Sequence, residues 1–188
     1  MLLLSEKLTS VPIMSLQTGT KLAETTEPII DPGNLTITAS YVDGNNLDAN
    51  PSVLFMEDIR EAGELGFIID DSSRLMPLDG LVRLQEILDG GFSLIGTQVV
   101  DKRGGKVGKV TDYSFSPDDY TVQQLFVKPG LLQSIVQDAR VIHRNQVLDV
   151  TNKLITIDTP DIKSSLKDRA EKASSYVNPF RSPDIEPR

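Results

Sequence analysis

The sequence predicts a mainly β protein: two small β-barrels in tandem, with a connecting helix and a C-terminal helix. Three observations carry that expectation. Short segments of alternating apolar and polar residues recur along the chain, bounded by glycine, proline and aspartate turns. The pattern of the first half returns in the second at an almost constant offset. One stretch of helical periodicity lies between the two halves.

Met1–Leu16 supplies apolar residues at Leu2, Leu4, Leu8, Val11, Ile13, Met14 and Leu16 and is read as strand. Thr18-Gly19 turns the chain, because glycine adopts positive φ without steric cost. Lys21–Ile30 is a strand interrupted by Pro28, whose nitrogen cannot donate to a central ladder. Asp31-Pro32-Gly33-Asn34 has strong turn chemistry. Leu35–Val42 alternates with Leu35, Ile37, Ala39 and Tyr41 on one face, the pattern of a half-buried strand. Asp43–Pro51 is loop, Ser52–Met56 a short strand, Arg60–Gly63 a turn and Glu64–Asp70 a strand. Pro77–Leu88 then changes period, with Leu78, Leu81, Val82, Leu84, Ile87 and Leu88 three and four apart, and Gly90-Gly91 stops it. This is the connecting helix, expected to pack between the halves. Strands resume at Thr97–Asp101, Lys106–Phe115, Thr121–Lys128, Arg140–His143 and Lys153–Asp158. Pro129–Asp138 reads as short helix or loop. Asp161–Val177 is a second helix with a thin stripe of Ile162, Leu166, Ala170, Ala173 and Val177 among basic residues. Asn178–Arg188, with its prolines, is expected to be disordered.

The two halves can be laid on each other. At an offset of 85 residues Gly19–Val42 falls on Gly104–Val127, and at 88 Val53–Asp70 falls on Val141–Asp158. Turn residues meet turn residues, as Pro32 meets Pro117, and the alternation keeps phase. A strand slipped by one residue would turn its core face outward, so shared phase argues for shared folding. Two all-β units of about 65 residues have little core and many edges, which closure into barrels removes. The expected organisation is 1–72 as a first barrel, 73–91 as a helical linker, 92–160 as a second barrel, and 161–188 as helix and tail.

Composition narrows the functional classes. The chain has no cysteine, which excludes disulfides, thiolate catalysis and Cys-type zinc sites, and is in keeping with a reducing compartment. With one histidine, a Ser-His-Asp triad could be built only around His143. Residues 1–92 carry 5 basic and 15 acidic side chains, against 14 and 12 in residues 93–188. The acidic first half repels phosphate and argues against nucleic acid there. Glu6 and Lys7 interrupt the apolar start, so no secretory signal is expected. No run reaches the ~20 apolar residues that span a bilayer. A cytoplasmic location is the expectation.

The best-kept strand pattern reads Val99-Val100-Asp101, then Gly105-Lys106-Val107-Gly108-Lys109-Val110, the turn Ser116-Pro117-Asp118-Asp119, and Thr121–Val127. A later aliphatic strand and polar turn follow at Val141–Val147 and Leu154–Asp158. This resembles the PRC-barrel family. The first half is similar from Leu8 to Asp70, with Leu22-Ala23 in place of the usual Val-Gly. The family includes the cytoplasmic part of the photosynthetic reaction-centre H subunit and the C-terminal domain of a ribosome maturation factor. The resemblance implies a docking or adaptor module with no catalytic, cofactor or metal residue: not an enzyme, and bound to another macromolecule, most naturally protein.

Residue by residue, sharper chemistry finds little support. Gly104–Lys109 imitates a phosphate loop, but the spacing is one short, Val110 stands where Ser or Thr belongs, and a strand follows. It is read as a hairpin turn. Lys102, Arg103, Lys106 and Lys109 form a basic cluster on that hairpin. They are read first as a solvated edge, then as a protein contact, then as an RNA contact, although no aromatic lies nearby to stack a base. His143 has Phe55 as its repeat mate, which points to a structural position. Glu57, Asp58, Glu61, Glu64, Asp70 and Asp71 lack calcium-loop spacing and are read as acidic surface. The basic C-terminal helix carries a weak peripheral contact with anionic lipid as an alternative to packing on a barrel. DNA binding is not expected.

Overall fold

A computed structural model describes residues 1–45, 47–129 and 140–158. Residues 1–158 form one compact unit. The expected C-terminal helix and tail, and Pro129–Asp138 beyond Pro129 itself, lie outside the described residues.

The fold is mainly β and consists of two sheets joined by one α-helix. The chain opens with β1 (Leu3–Leu4) and a 3-10 turn at Ser5–Leu8. Seven strands then build the first sheet: β2 (Pro12–Ser15), β3 (Lys21–Asp31), β4 (Thr36–Asp43), β5 (Ser52–Phe55), β6 (Glu61–Gly63), β7 (Gly66–Ile69) and β8 (Leu75–Pro77). Their order is β6-β7-β2-β3-β4-β5-β8. Helix α1 (Val82–Asp89) follows. The second sheet holds β9 (Gln98–Asp101), β10 (Lys106–Phe115), β11 (Val122–Lys128), β12 (Arg140–His143), β13 (Val147–Val150) and β14 (Leu154–Ile157), in the order β12-β11-β10-β9-β14-β13, with β1 added against β10.

Strand for strand, β9 to β14 repeat the order and the senses of β2 to β7. The parallel pairs are β2 with β7 and β9 with β14, and the other neighbours run antiparallel. Register agrees as well. Thr25 faces Val42 as Val110 faces Val127, and Ile30 faces Ile37 as Phe115 faces Val122. Ser40 faces Leu54 as Leu125 faces Ile142, and Glu61 faces Ile68 as Asp149 faces Thr156. The first two correspondences carry the offset of 85, and the last the offset of 88. Alternation fixes this register, because a one-residue slip would expose every core side chain.

Apolar residues from both halves merge into one core. Leu8, Ile13, Ile37, Leu54 and Ile69 pack in a continuous cluster with Val99, Tyr113, Phe115, Leu125, Ile155 and Ile157, each at most 1% exposed. Burial of such side chains contributes about 1.5–3 kcal/mol apiece, so neither sheet is stabilised alone. Backbone bonds also cross the junction: Ile37 N–H donates to Tyr120 O and Val122 N–H to Leu35 O, both at 2.9 Å. Leu35 and Tyr120 are repeat mates, and both take positive φ, at 52° and 53°.

Several boundaries differ from the sequence reading. Pro28 does not interrupt its strand: β3 runs through it, paired at that point with β4 alone because the β2 pairing ends at Glu24, and the register shifts between Thr25 and Pro28. The Met1–Leu16 strand is broken by the 3-10 turn. Arg60–Gly63 is not simply a turn: Glu61–Gly63 pairs with β7. The helix starts at Val82 and not at Pro77, because Leu75–Pro77 pairs with β5. Nor does α1 pack between the two sheets. Leu84, 1% exposed, joins Ile29, Ala39 and Val53 in a second cluster, with Leu81, Ile87, Leu88, Tyr41 and Phe55 around it, so the helix covers a face of β3-β4-β5.

Candidate docking surfaces

The four basic residues singled out in the sequence sit on the β9–β10 hairpin. Asp101 organises its turn: one carboxylate oxygen accepts the N–H groups of Arg103 and Gly105, each at 2.8 Å, and its carbonyl accepts that of Gly104 at 2.9 Å. Glycine is required at 104, where φ is +81°, and at 105, where a Cβ would lie 2.6 Å from the Asp101 carboxylate. The run is thus a hairpin turn whose amides are consumed internally. Lys102 pairs with Asp158 at 2.7 Å, which halves its value to an anionic ligand. Lys106 and Lys109 are exposed on β10. The hairpin brings the four cations to one end of the sheet.

The acidic residues near the end of the first half are held by arginines. Asp70 accepts a two-pronged bond from Arg60, at 2.9 Å on both arms, and a longer one from Arg74, which also pairs with Asp58 at 3.0 Å. The Arg60 hydrogen bond holds the Asp70 carboxyl below the usual carboxylate range. Asp71 accepts the Ser73 N–H, and its carboxyl is likewise lowered by hydrogen bonding to Ser73. Among the described residues no group of three or more His, Asp or Glu is placed to hold a metal ion. His143 is exposed at the end of β12, where its N–H donates to Gln146.

A groove that no sequence pattern announces lies at the junction of the halves. It has a volume of about 1150 Å³. Its apolar surface comes from Phe55 at the end of β5, Ile59 after a 3-10 turn, and Leu81 and Ile87 at α1. Glu57 and Glu61 edge it on one side. The Pro117–Tyr120 turn of the second half edges it on the other, adding Asp118 and Asp119. Arg60 and Arg83 also line it, but Arg60 is committed to Asp70. The walls are fixed by the reciprocal Leu35 and Tyr120 bonds. Asp119 accepts the Thr121 N–H at 3.1 Å, and that bond lowers its carboxyl below the usual range, so it is ionised at neutral pH. Nothing lining the groove is a histidine, serine, cysteine or lysine. The arrangement is suited to binding.

A mate to this groove exists on the other side of the junction. It has about 320 Å³ and is lined by Pro32–Leu35 and by Arg144, Val147, Leu148, Asp149 and Val150, the repeat mates of Pro117–Tyr120 and of Met56, Ile59, Arg60, Glu61 and Ala62. Arg144, where the first half has buried Met56, donates to Asn34 O across the junction and to Val122 O of its own half.

Residues 89–163 match the PRC-barrel domain family. No curated protein matches the chain.

Proposed function

We propose that this chain, with a PRC-barrel domain at residues 89–163, is a non-enzymatic adaptor that docks another macromolecule, built as a tandem of two PRC-type barrels at 1–72 and 92–160 joined by 73–91. The observation that carries this is the open groove walled by both halves. It combines apolar side chains with carboxylates at its rim. The identical strand order and register of the two sheets supports the tandem. A protein partner fits such a surface better than a polyanion does, because carboxylates repel phosphate.

A second reading, an RNA- or ribosome-associated factor, draws on the exposed Lys106 and Lys109 beside Lys102 and Arg103. One experiment separates the two. Immobilised full-length chain is exposed to lysate of its native cell with and without nuclease. Retention of a protein after nuclease treatment supports the adaptor. Retention lost with nuclease, and lost again when the four basic residues are reversed to glutamate, transfers the function to RNA. A chain that retains no macromolecule and turns over a substrate in a broad screen overturns both.

A further inference from the structure

We infer that the groove between α1 and the Pro117–Tyr120 turn binds a basic, amphipathic polypeptide segment of a protein partner, with lysine or arginine side chains on the carboxylate rim and apolar side chains against Phe55, Leu81 and Ile87. This rests on the adaptor reading and names its docking face and the chemistry of its partner.

The argument begins from what the fold needs. The two halves share register through the turns in question, so each residue of the groove has a mate in the same backbone setting. Asp119 caps its turn by accepting the Thr121 N–H, and Asn34 caps the mate turn by accepting the Thr36 N–H at 3.0 Å. An amide therefore does this work without charge. The mate of Asp118 is Gly33, and that of Glu57 is Asn145. Three carboxylates on the open groove thus stand where the same fold accepts Gly, Asn and Asn. Turn formation does not explain them. Among the described residues Glu57, Glu61 and Asp118 form no ion pair, so their charge is presented outward.

The apolar side shows the same asymmetry. Phe55 is replaced by His143 in the mate. Arg144 further occupies the mate with a guanidinium bonded to both halves. On one side of the junction Arg144 and Asp149 balance in a groove of about 320 Å³; the other groove is larger, apolar within and anionic at the rim. A segment with cations on one face and apolar residues on the other complements it in both respects. Nucleic acid would meet the carboxylates, and an apolar ligand alone would leave them without a counter-charge.

The test uses the full chain and fluorescein-labelled synthetic peptides read by anisotropy: an amphipathic Lys-Leu peptide, and a Lys-Ser peptide of equal charge. The variant Glu57→Asn, Asp118→Gly, Asp119→Asn transplants the mate's own residues, which keeps it foldable; circular dichroism verifies this. The Lys-Leu peptide is expected to bind at least about tenfold more tightly than the Lys-Ser peptide. It is expected to weaken about tenfold on the triple variant and to be unaffected by Lys106→Glu, Lys109→Glu. Amide shifts should change around Phe55, Leu81 and Tyr120. Equal binding of the two peptides, or an unaltered affinity on the triple variant, overturns the inference. If the triple variant still retains a native partner held by the parent chain, the groove is wrong and the adaptor stands. If the parent chain retains none, the adaptor reading itself falls.

Discussion

Gly108 illustrates how one close approach is solved twice. A Cβ there would lie 2.2 Å from the Lys128 carbonyl oxygen, so β10 can cross β11 only where no side chain intervenes. Its repeat mate is Ala23, which breaks the family-like Val-Gly pattern, yet Ala23 is 2% exposed and well accommodated. The first half places its glycine on the opposite strand's exit instead: a Cβ at Gly44 would come within 2.7 Å of Leu22 O. Gly108→Ala is therefore expected to cost roughly 1–3 kcal/mol, read as a lowered urea midpoint, whereas Ala23→Gly should cost less than Gly108→Ala. Tyr113 offers a second test. Its hydroxyl is buried with no hydrogen-bond partner among the described residues, a condition that costs about 1–3 kcal/mol. Tyr113→Phe should leave stability equal or higher. Burial also pushes the Tyr113 hydroxyl above its ordinary value. The unfolded chain then ionises first, so this group's contribution is complete below pH about 10 and declines above it. Titration of unfolding free energy in alkali should show a shallower decline in the Phe variant. His143→Phe, which removes the side-chain cap of the Arg144–Gln146 turn, is expected to lower the melting temperature slightly and to leave partner retention unchanged.

At the scale of the elements, helix α1 is where local pattern and tertiary structure parted. The three-and-four spacing of Leu81, Leu84, Ile87 and Leu88 was legible, and so was the stop at Gly91, which takes φ +61°. The start was not. Leu75–Pro77 finds a strand partner in β5, a pairing between residues more than twenty apart that no local period reveals. For the same reason the sequence reads Pro28 as a break. The strand runs on through it, because β2 pairs with β3 only as far as Glu24 and leaves Pro28 paired with β4 on one side. The face that α1 covers was also beyond the sequence, because apolar periodicity says that a helix is buried and not against what. Leu84→Ala should cost about 2–5 kcal/mol by chemical denaturation. It should also weaken any ligand of the groove, since the same helix forms one wall.

At the scale of the whole molecule, the repeat was readable because turns and alternation kept phase over both halves, and the common register of β3-β4 and β10-β11 accounts for that phase. The groove was not readable. It depends on two turns, Asp31–Leu35 and Ser116–Tyr120, meeting across the molecule, and nothing in either turn specifies the other. The basic hairpin was visible as a cluster, but the Lys102–Asp158 pair required the third dimension. Because Leu8, Ile37 and Leu54 share a core with Val99, Phe115 and Leu125, the halves should not melt separately. Tyrosine fluorescence and far-UV circular dichroism are expected to give coincident urea transitions. Two resolved transitions would show that the halves are energetically independent.

The paired bonds of Leu35 and Tyr120 have a further consequence. Each is the other's counterpart, so the junction has a local twofold axis, as if two copies of one unit had met there. A true dimer of identical subunits must present every site in duplicate. Here the two sheets belong to one chain and differ in sequence, so Arg144 can narrow one groove while its counterpart stays wide. Covalent linkage thus permits a stoichiometry that symmetry would forbid: one ligand segment per molecule, bound in a single orientation.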